Sequence, residues 1–342
     1  MMAESQTIAN QSAANQTARE SPLYLSSSPH FSKKASTQKI MAMVLIALLP
    51  EVVAGVVFFG VSALAVVLTS VASCVIFELL FQRLTRQTVR ISNLSACVSG
   101  VMMALVIPPT VPIWMVVLGA LVAMVVAKGL FGGIGQNVFN PALTGRAVLF
   151  ISFPSVLGAN WQNTRFMTDA VSSATPLSLI AQNQVAFDSS TLWNFFIGNK
   201  GGCIGETSIL LILISFVFLF STNIIDWRAP LSFVLTVFVG TFFAHISGGI
   251  IEGVHHAVLA LLTGGVAFGA CFMVTDYATA PVTKPGRLVF GFGCGLITFL
   301  IREFGGYPEG VMFSILIMNA VAPFLNNLTP RMYGYGKKGA AK

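Results

Sequence analysis

Charged residues are what this sequence has least of: Asp, Glu, Lys and Arg together make up 9% of its 342 residues, against about a quarter in an ordinary soluble domain. That shortage excludes a water-soluble globular body, because too few polar side chains exist to cover one. Cysteine is sparse and scattered. Cys74, Cys97, Cys203, Cys271 and Cys294 include no C-x-x-C pair, so neither a disulfide framework nor a cysteine-ligated cluster is signalled within this chain. Four of the five lie in apolar segments, where a small apolar packing role explains them. Nicotinamide-binding and iron–sulfur motifs are absent as well. No cleavable leader is expected, since the first apolar run starts only at Ile40, behind a polar stretch rich in Ser, Asn, Gln and Ala.

What remains is apolar: 55% hydrophobic residues and a mean hydropathy of +0.81. The solvent for such a chain is lipid, and a span takes about 20 apolar residues. Runs fall near 40–60, 61–81, 91–107, 111–127, 143–153, 209–225, 229–246, 254–274, 288–301 and 311–325. The fifth, ninth and tenth are short, so they are broken, re-entrant or extended by flanking Gly and Ser. The expected fold class is therefore an all-α polytopic membrane protein of about ten transmembrane helices. Its expected parts are a polar, largely disordered cytoplasmic tail (1–38), a first membrane half (39–153), an extracytoplasmic loop (154–208), a second membrane half (209–327) and a basic cytoplasmic tail (328–342).

The basic residues orient this layout. With the N-terminus inside, sixteen of the 19 Lys and Arg fall on the inner side, among them Lys128 and Arg146, and only Arg165, Lys200 and Arg302 fall outside. The net charge of +7 then answers to an anionic inner leaflet rather than to nucleic acid.

The halves echo each other. Phe131-Gly132-Gly133 followed by Val138 returns 173 positions later as Phe304-Gly305-Gly306 followed by Val311, and the same offset carries Pro108 onto Pro281 and Pro112 onto Pro285. Five spans separate the mates, which places them on opposite sides of the membrane. The expectation is two inverted five-helix repeats with a functional centre where they meet. Chance matching of Gly and Pro is the competing explanation.

Four segments carry the polar chemistry. Gly132 to Pro141 brings glycines, Gln136, Asn137 and Asn140 to membrane depth, where irregular backbone is tolerated only inside protein or lining a cavity. A plain tight turn explains it equally, whereas amides there would suit a flat heteroaromatic ligand with polar edges. Met273 to Pro281 places Asp276 at the end of an apolar span, where a carboxylate is costly and often functional; pairing with Lys284 or Arg287 is the structural alternative. Asp169 to Leu177 is, on physics alone, an exposed hydroxyl-rich turn. Gly201 to Ser208 runs a glycine-rich loop into a helix start, whose free N–H groups suit a phosphate, and Thr207 or Ser208 is a candidate cap. Two further acids sit in apolar runs. Glu51, after Pro50, is a candidate for an ion path or a neutral acid in a kinked helix; Glu78 is expected at the interface beside Arg83. His255 and His256 are expected at an outer span edge.

Together these segments resemble the family that contains the D subunit of the Rnf electron-transport complex and the related B subunit of the sodium-pumping NADH:quinone reductase. The likeness runs from Ser26-Ser27-Ser28-Pro29-His30 to Arg331-Met332-Tyr333-Gly334. It passes through Phe131 to Pro141, Gly201 to Ser208, Thr275 to Pro281 and Phe304 to Gly310. Chain length is nearer the Rnf member. The resemblance implies FMN joined through its phosphate to a threonine, within a signal like Asp-x-x-Ser-Gly-Ala-Thr. This chain has Asp169, Ser172, Ser173, Ala174 and Thr175 in that frame, with serine in place of the glycine, followed by Pro176-Leu177. Tyr277 stands where many relatives have proline after the aspartate.

The implied function is that of a membrane subunit coupling electron transfer on a ferredoxin and NAD branch to ion translocation. Thr175 carries covalent FMN, and a second, non-covalent riboflavin is expected by analogy. Asp169, Ser172, Gly201, Gly202 and Gly205 support the cofactor, and Glu51 and Asp276 are ion-path candidates. Neither a catalytic side chain nor a metal-ligand set is expected. Implied partners are the other members of the complex, a flavin transferase and the lipid bilayer, in a bacterial cytoplasmic membrane with both termini inside and the Thr175 loop outside. The competing readings are a quinone-reductase-type subunit, a solute transporter or channel without flavin, and a scaffold that carries no electrons. Na⁺ and H⁺ are both open.

Overall fold

The computed structural model describes residues 36–158, 164, 189–305 and 309–328. Among these residues every regular element is helical, and the chain from Thr37 onward forms one compact unit. The first half holds α1 (Thr37–Phe59), α2 (Val61–Leu84), α3 (Ser95–Leu105), α4 (Ile113–Leu121, prolonged by a wider π-helical coil, Val122–Gly129) and α5 (Pro141–Ser152). Short helices α6 (Pro154–Gly158) and α7 (Ser189–Ile197) lie between the halves. The second half holds α8 (Ile209–Ser221), α9 (Arg228–His245), α10 (Ile250–Leu262), α11 (Val266–Phe268, continued by π-helical Gly269–Met273), α12 (Lys284–Phe304) and α13 (Val311–Leu328).

Among the described residues, three helices are long and apolar enough to cross a bilayer alone: Thr37–Phe59, Val61–Leu84 and Arg228–Gly248. A fourth span exists if α10 and α11, bent by 63° at the break between them, count as one. The expected runs 91–107 and 143–153 fold as helices of 11 and 12 residues. At 1.5 Å per residue each covers only about half of a ~30 Å hydrocarbon core. The ninth run goes the other way and lengthens to 21 residues. Its start is set by Thr283, whose hydroxyl accepts the Gly286 N–H at 3.2 Å, with Pro285 in the first turn.

The polarity of the body is that of a protein dissolved in lipid. Large apolar side chains such as Leu49, Val53, Leu68, Val217 and Phe243 face outward, whereas Ala47, Ala63, Ala104, Ala120 and Ala123 are buried between helices. Small residues at helix contacts let backbones approach where no hydrophobic force drives association. Several helix pairings recur in the two halves. α2 lies against α3 and α4 as α9 lies against α10 and α12, and α4 packs on α5 as α12 does on α13.

Candidate functional site

The Gly132 to Pro141 loop and the Thr275 to Pro281 segment, read separately in the sequence, meet in space. Asn140 begins α5 and caps it: its side-chain oxygen accepts the N–H groups of Ala142 and Leu143 at 3.0 and 3.3 Å. The other end of that amide donates to Asp276 Oδ2 at 3.3 Å. The Asn319 amide of α13, turned with its oxygen toward Asn140, accepts the Asn140 N–H at 3.1 Å. Asp276 also accepts the Thr279 hydroxyl at 3.1 Å and the Ala278 N–H at 3.3 Å. No basic side chain is among its partners in the described residues. Arg287 donates instead to Asp226 at 2.8 Å and to the Pro281 carbonyl at 3.0 Å, and Lys284 takes no part, so the pairing alternative for Asp276 does not hold. Asp226 is shared with Arg228. Although burial pushes the Asp226 carboxyl up, hydrogen bonds from Arg228 and Arg287 outweigh it and hold its pKa below the usual carboxylate value.

Both segments line one small cleft of about 100 Å³. Apolar walls come from Met41, Val44, Met102 and Phe272, and polar edges from Ser95, Ser99, Asn137, Asn140 and Asp276. Lys128 completes the wall. The π-helical coil of α4 carries it inward, 4% exposed, where its ammonium pairs with Glu78 at 2.9 Å and donates to Ser95 Oγ at 2.6 Å. Two expectations are corrected here. Lys128 is a buried partner rather than an inner-loop cation, and Glu78 is buried against it rather than at the interface beside Arg83. The reason is mutual: a buried charge persists only when paired.

The Gly201 to Ser208 loop belongs to a second, separate cluster. Gly205 donates its N–H to the Leu105 carbonyl at 2.7 Å, and Ile204 donates to Ile107 at 3.3 Å. A Cβ on Gly205 would come within 2.6 Å of Leu105 Cβ, so this glycine is required by close packing. Its N–H is spent on the end of α3, which removes Gly205 from the expected phosphate cradle. The N–H groups of Gly201, Gly202 and Cys203 face no backbone acceptor among the described residues, and the space beside Gly202 is open. Ser208 caps α8 through Leu211 N–H at 3.4 Å.

Behind that loop lies Arg146, expected as an inner-side cation but 3% exposed. Its guanidinium meets Glu309 at 2.5 Å, Glu206 at 3.8 Å and Cys203 Sγ at 3.5 Å. Ligand atoms of Cys203, Glu206 and Glu309 lie within 4.8 Å of one another, yet the guanidinium already supplies their cation, so the trio reads as an ion-pair network. Two more cations serve the break between α10 and α11. Lys200 donates to the Leu262 carbonyl. Arg302 donates to the carbonyls of Ala260 and Thr263 at 2.7 and 3.3 Å. The Thr263 hydroxyl bonds back to Leu259 at 2.6 Å, and Gly264 turns the chain at φ +64°, a conformation that favours glycine. The carbonyls at a helix end lack intrahelical donors, and side chains from other elements supply them here.

Glu51 stands apart from both clusters. It is fully buried, and neither carboxyl oxygen has a hydrogen-bond partner among the described residues. At the α9–α10 edge the ring of His256 stacks on His245 at 4.1 Å, and His245 lies 3.8 Å from Glu303. Thr175, Asp169 and Ser172 lie outside the described residues.

Comparison with known proteins adds the following. The chain matches the profile of the NQR2, RnfD, RnfE family over residues 24–334. It is 41% identical over 320 residues to the D subunit of the Na(+)-translocating ferredoxin:NAD(+) oxidoreductase complex of Acetobacterium woodii, covering 92% of this chain and 96% of that one. It is 37% identical over 312 residues to the D subunit of the proton-translocating ferredoxin:NAD(+) oxidoreductase complex of Clostridium ljungdahlii, covering 89% and 94%. With the D subunit of the ion-translocating oxidoreductase complex of Escherichia coli K12 it shares 34% over 349 residues, covering 92% and 99%.

Proposed function

The chain belongs to the NQR2, RnfD, RnfE family, and from that premise we propose that it is a membrane subunit of an Rnf-type complex that couples ferredoxin and NAD electron transfer to ion translocation. The carrying observation is the cleft in which loops from opposite halves meet around Asp276, a carboxylate with no basic partner. A half-buried acid with no countercharge among the described residues, at an unwound segment, suits a cation in transit. Asp276 and Glu51 are the ion-path residues of this reading.

Covalent FMN on Thr175 is part of the same proposal, and what supports it is the Asp169 to Thr175 signal together with the N–H groups of Gly201 to Cys203, which meet no backbone acceptor among the described residues. Those donors and the open space at Gly202 fit a phosphodiester. A flavin supplies one- and two-electron chemistry when bound. The chain's own contribution is to hold the phosphate, exclude water and present amide edges. For a second, non-covalent riboflavin, the amides of Asn137 and Asn140 and the hydroxyls of Ser95 and Ser99 at the cleft offer partners for its polar edges.

The ten-span, inverted-repeat layout also belongs here. The offset of 173 carries Ile113–Gly129 onto residues 286–302, within α12, and Pro141–Ser152 onto 314–325, within α13. It carries α3 onto the π-helical end of α11. Counting α10 with α11, each half then has five helices, and the α4–α5 packing of the first half has a counterpart in α12–α13 of the second. Orientation follows the basic residues: with Lys128, Arg146 and Lys200 set aside as buried, fourteen still fall inside against two outside, which supports internal termini and an external Thr175.

A denaturing gel tests the cofactor. Wild-type protein matured with its flavin transferase gives a fluorescent band, and Thr175→Ala abolishes it. A band that persists undiminished in Thr175→Ala would refute the attachment site, and a wild type without any band would refute the flavoprotein reading.

A further inference from the structure

Glu51 is the residue whose surroundings decide something the relatives leave open, because two of those named above differ in the ion they carry. It lies on the buried face of α1. One turn before it, the Ala47 carbonyl accepts the Ser215 hydroxyl of α8 at 2.7 Å. One turn after it, Gly55 is pressed against Ile204 of the Gly201 to Ser208 loop. On its third side is the π-helical segment of α11, whose Cys271 is its titratable neighbour. Glu51 therefore sits where α1, α8 and α11 converge. The inner cleft, lined by Met41 and Val44, lies about two turns away along α1, and Ile204 connects the other side to Glu206.

The chemistry of that spot is restrictive. A sodium ion inside a membrane protein is held by several oxygens, typically unwound carbonyls and half-helix ends beside a carboxylate. Around Glu51 the helix is unbroken over Thr37–Phe59, so its carbonyls are tied up in the ladder. The exception is the carbonyl of Ile46, freed because Pro50 has no N–H to give it. An ionised carboxylate with both oxygens unpartnered is far too costly to bury, whereas the neutral acid is tolerated. The Asp276 site differs, for it has unwound backbone, an amide and a hydroxyl at hand and accommodates either ion.

We propose that Glu51 is a proton relay midway through the membrane, and that the ion this chain passes is H⁺ rather than Na⁺. Resting on the functional reading above, the step is a simple exchange. The O–H bond of neutral Glu51 breaks as one forms at a carboxylate oxygen of Glu206 or Glu309. The Glu51 carboxylate left behind then takes a proton from a water or acid on the cleft side, whose own O–H bond breaks, and no electrons move in either transfer. Glu51 rests neutral and is charged only in transit.

The test uses the intact complex in liposomes, supplied with reduced ferredoxin and NAD⁺, with a pH dye inside and radiolabelled Na⁺ outside. Wild type is expected to acidify the lumen, and a protonophore is expected to abolish both acidification and any Na⁺ uptake. In Glu51→Gln the protons moved per electron passed should fall by roughly tenfold or more, with partial recovery in Glu51→Asp. Infrared difference spectra should show a protonated-carboxyl C=O band in wild type that Glu51→Gln lacks. An unchanged proton-to-electron ratio in Glu51→Gln, or a band that survives it, overturns the relay. Wild-type Na⁺ uptake that resists the protonophore overturns the ion assignment, and this arm decides even if the variant fails to assemble. A missing flavin band in wild type strikes the functional reading instead, so the two fail separately.

Discussion

Two places in this molecule face the same physical problem, and they solve it in opposite ways. At the break between α10 and α11 a helix ends inside the protein with bare carbonyls, and Lys200 and Arg302 are built in to meet them. Next to it Arg146 answers Glu206 and Glu309. At the Asp276 segment the backbone is also unwound and a carboxylate is present, yet no tethered cation answers it. The contrast teaches where mobility is permitted. A tethered cation makes a fixed structural joint, and an unanswered carboxylate keeps a place for something that comes and goes.

The comparison breaks most readily at Arg146. Replacing it by Met leaves Glu206 and Glu309 buried without their cation, which should cost about 3–5 kcal/mol and appear as loss of assembled complex or a steep fall in Tm. A variant as stable as wild type would mean that the outer network is not structural. Lys200→Met removes one donor from the α10 end and should cost about 1–3 kcal/mol, read as a lower Tm of the purified complex. Asp276→Asn should cost about 1–2 kcal/mol, because its one amide oxygen keeps the Asn140 and Thr279 bonds but the NH2 group cannot accept the Ala278 N–H, and no ion pair is lost, while ion transport falls. If its thermal penalty instead matches that of Arg146→Met, the division into a fixed and an exchangeable site is wrong.

Much of this was legible in the residues, and the exceptions share a cause. Apolar runs announced the helices, and the Asn and Gly residues before Pro141 and Asp276 before Pro281 each stood out, although only folding shows that their two loops meet in the cleft. Missed were Lys128 and Arg146, both set within or at the end of apolar runs. The rule that singles out an intramembrane acid applies equally to an intramembrane cation, and used evenhandedly it would have found them. Their partners were beyond reach: Arg146 and Glu309 are 163 positions apart, and only folding brings them together. Glu78 was expected beside Arg83 because five residues is the nearer distance in sequence, but those two side chains leave the helix on different sides. Gly205 shows the converse. A glycine-rich loop at a helix start suggests an anion cradle, yet one of its N–H groups was already claimed by the end of α3. Short helices such as α3 and α5 follow from glycine- and proline-bearing loops that interrupt them, and the length of an apolar run says nothing of where such a loop bends.

The 63° joint between α10 and α11 has a mechanical consequence. Its exposed peptide oxygens are gripped by one side chain from the segment ahead of α8 and by another near the end of α12. A hinge held by two arms cannot swing alone: any tilt of α11 pulls on both, and so on the glycine strand that begins at Gly201. Displacement beside Glu51 and displacement of the Gly201 to Ser208 loop are thus parts of a single lever.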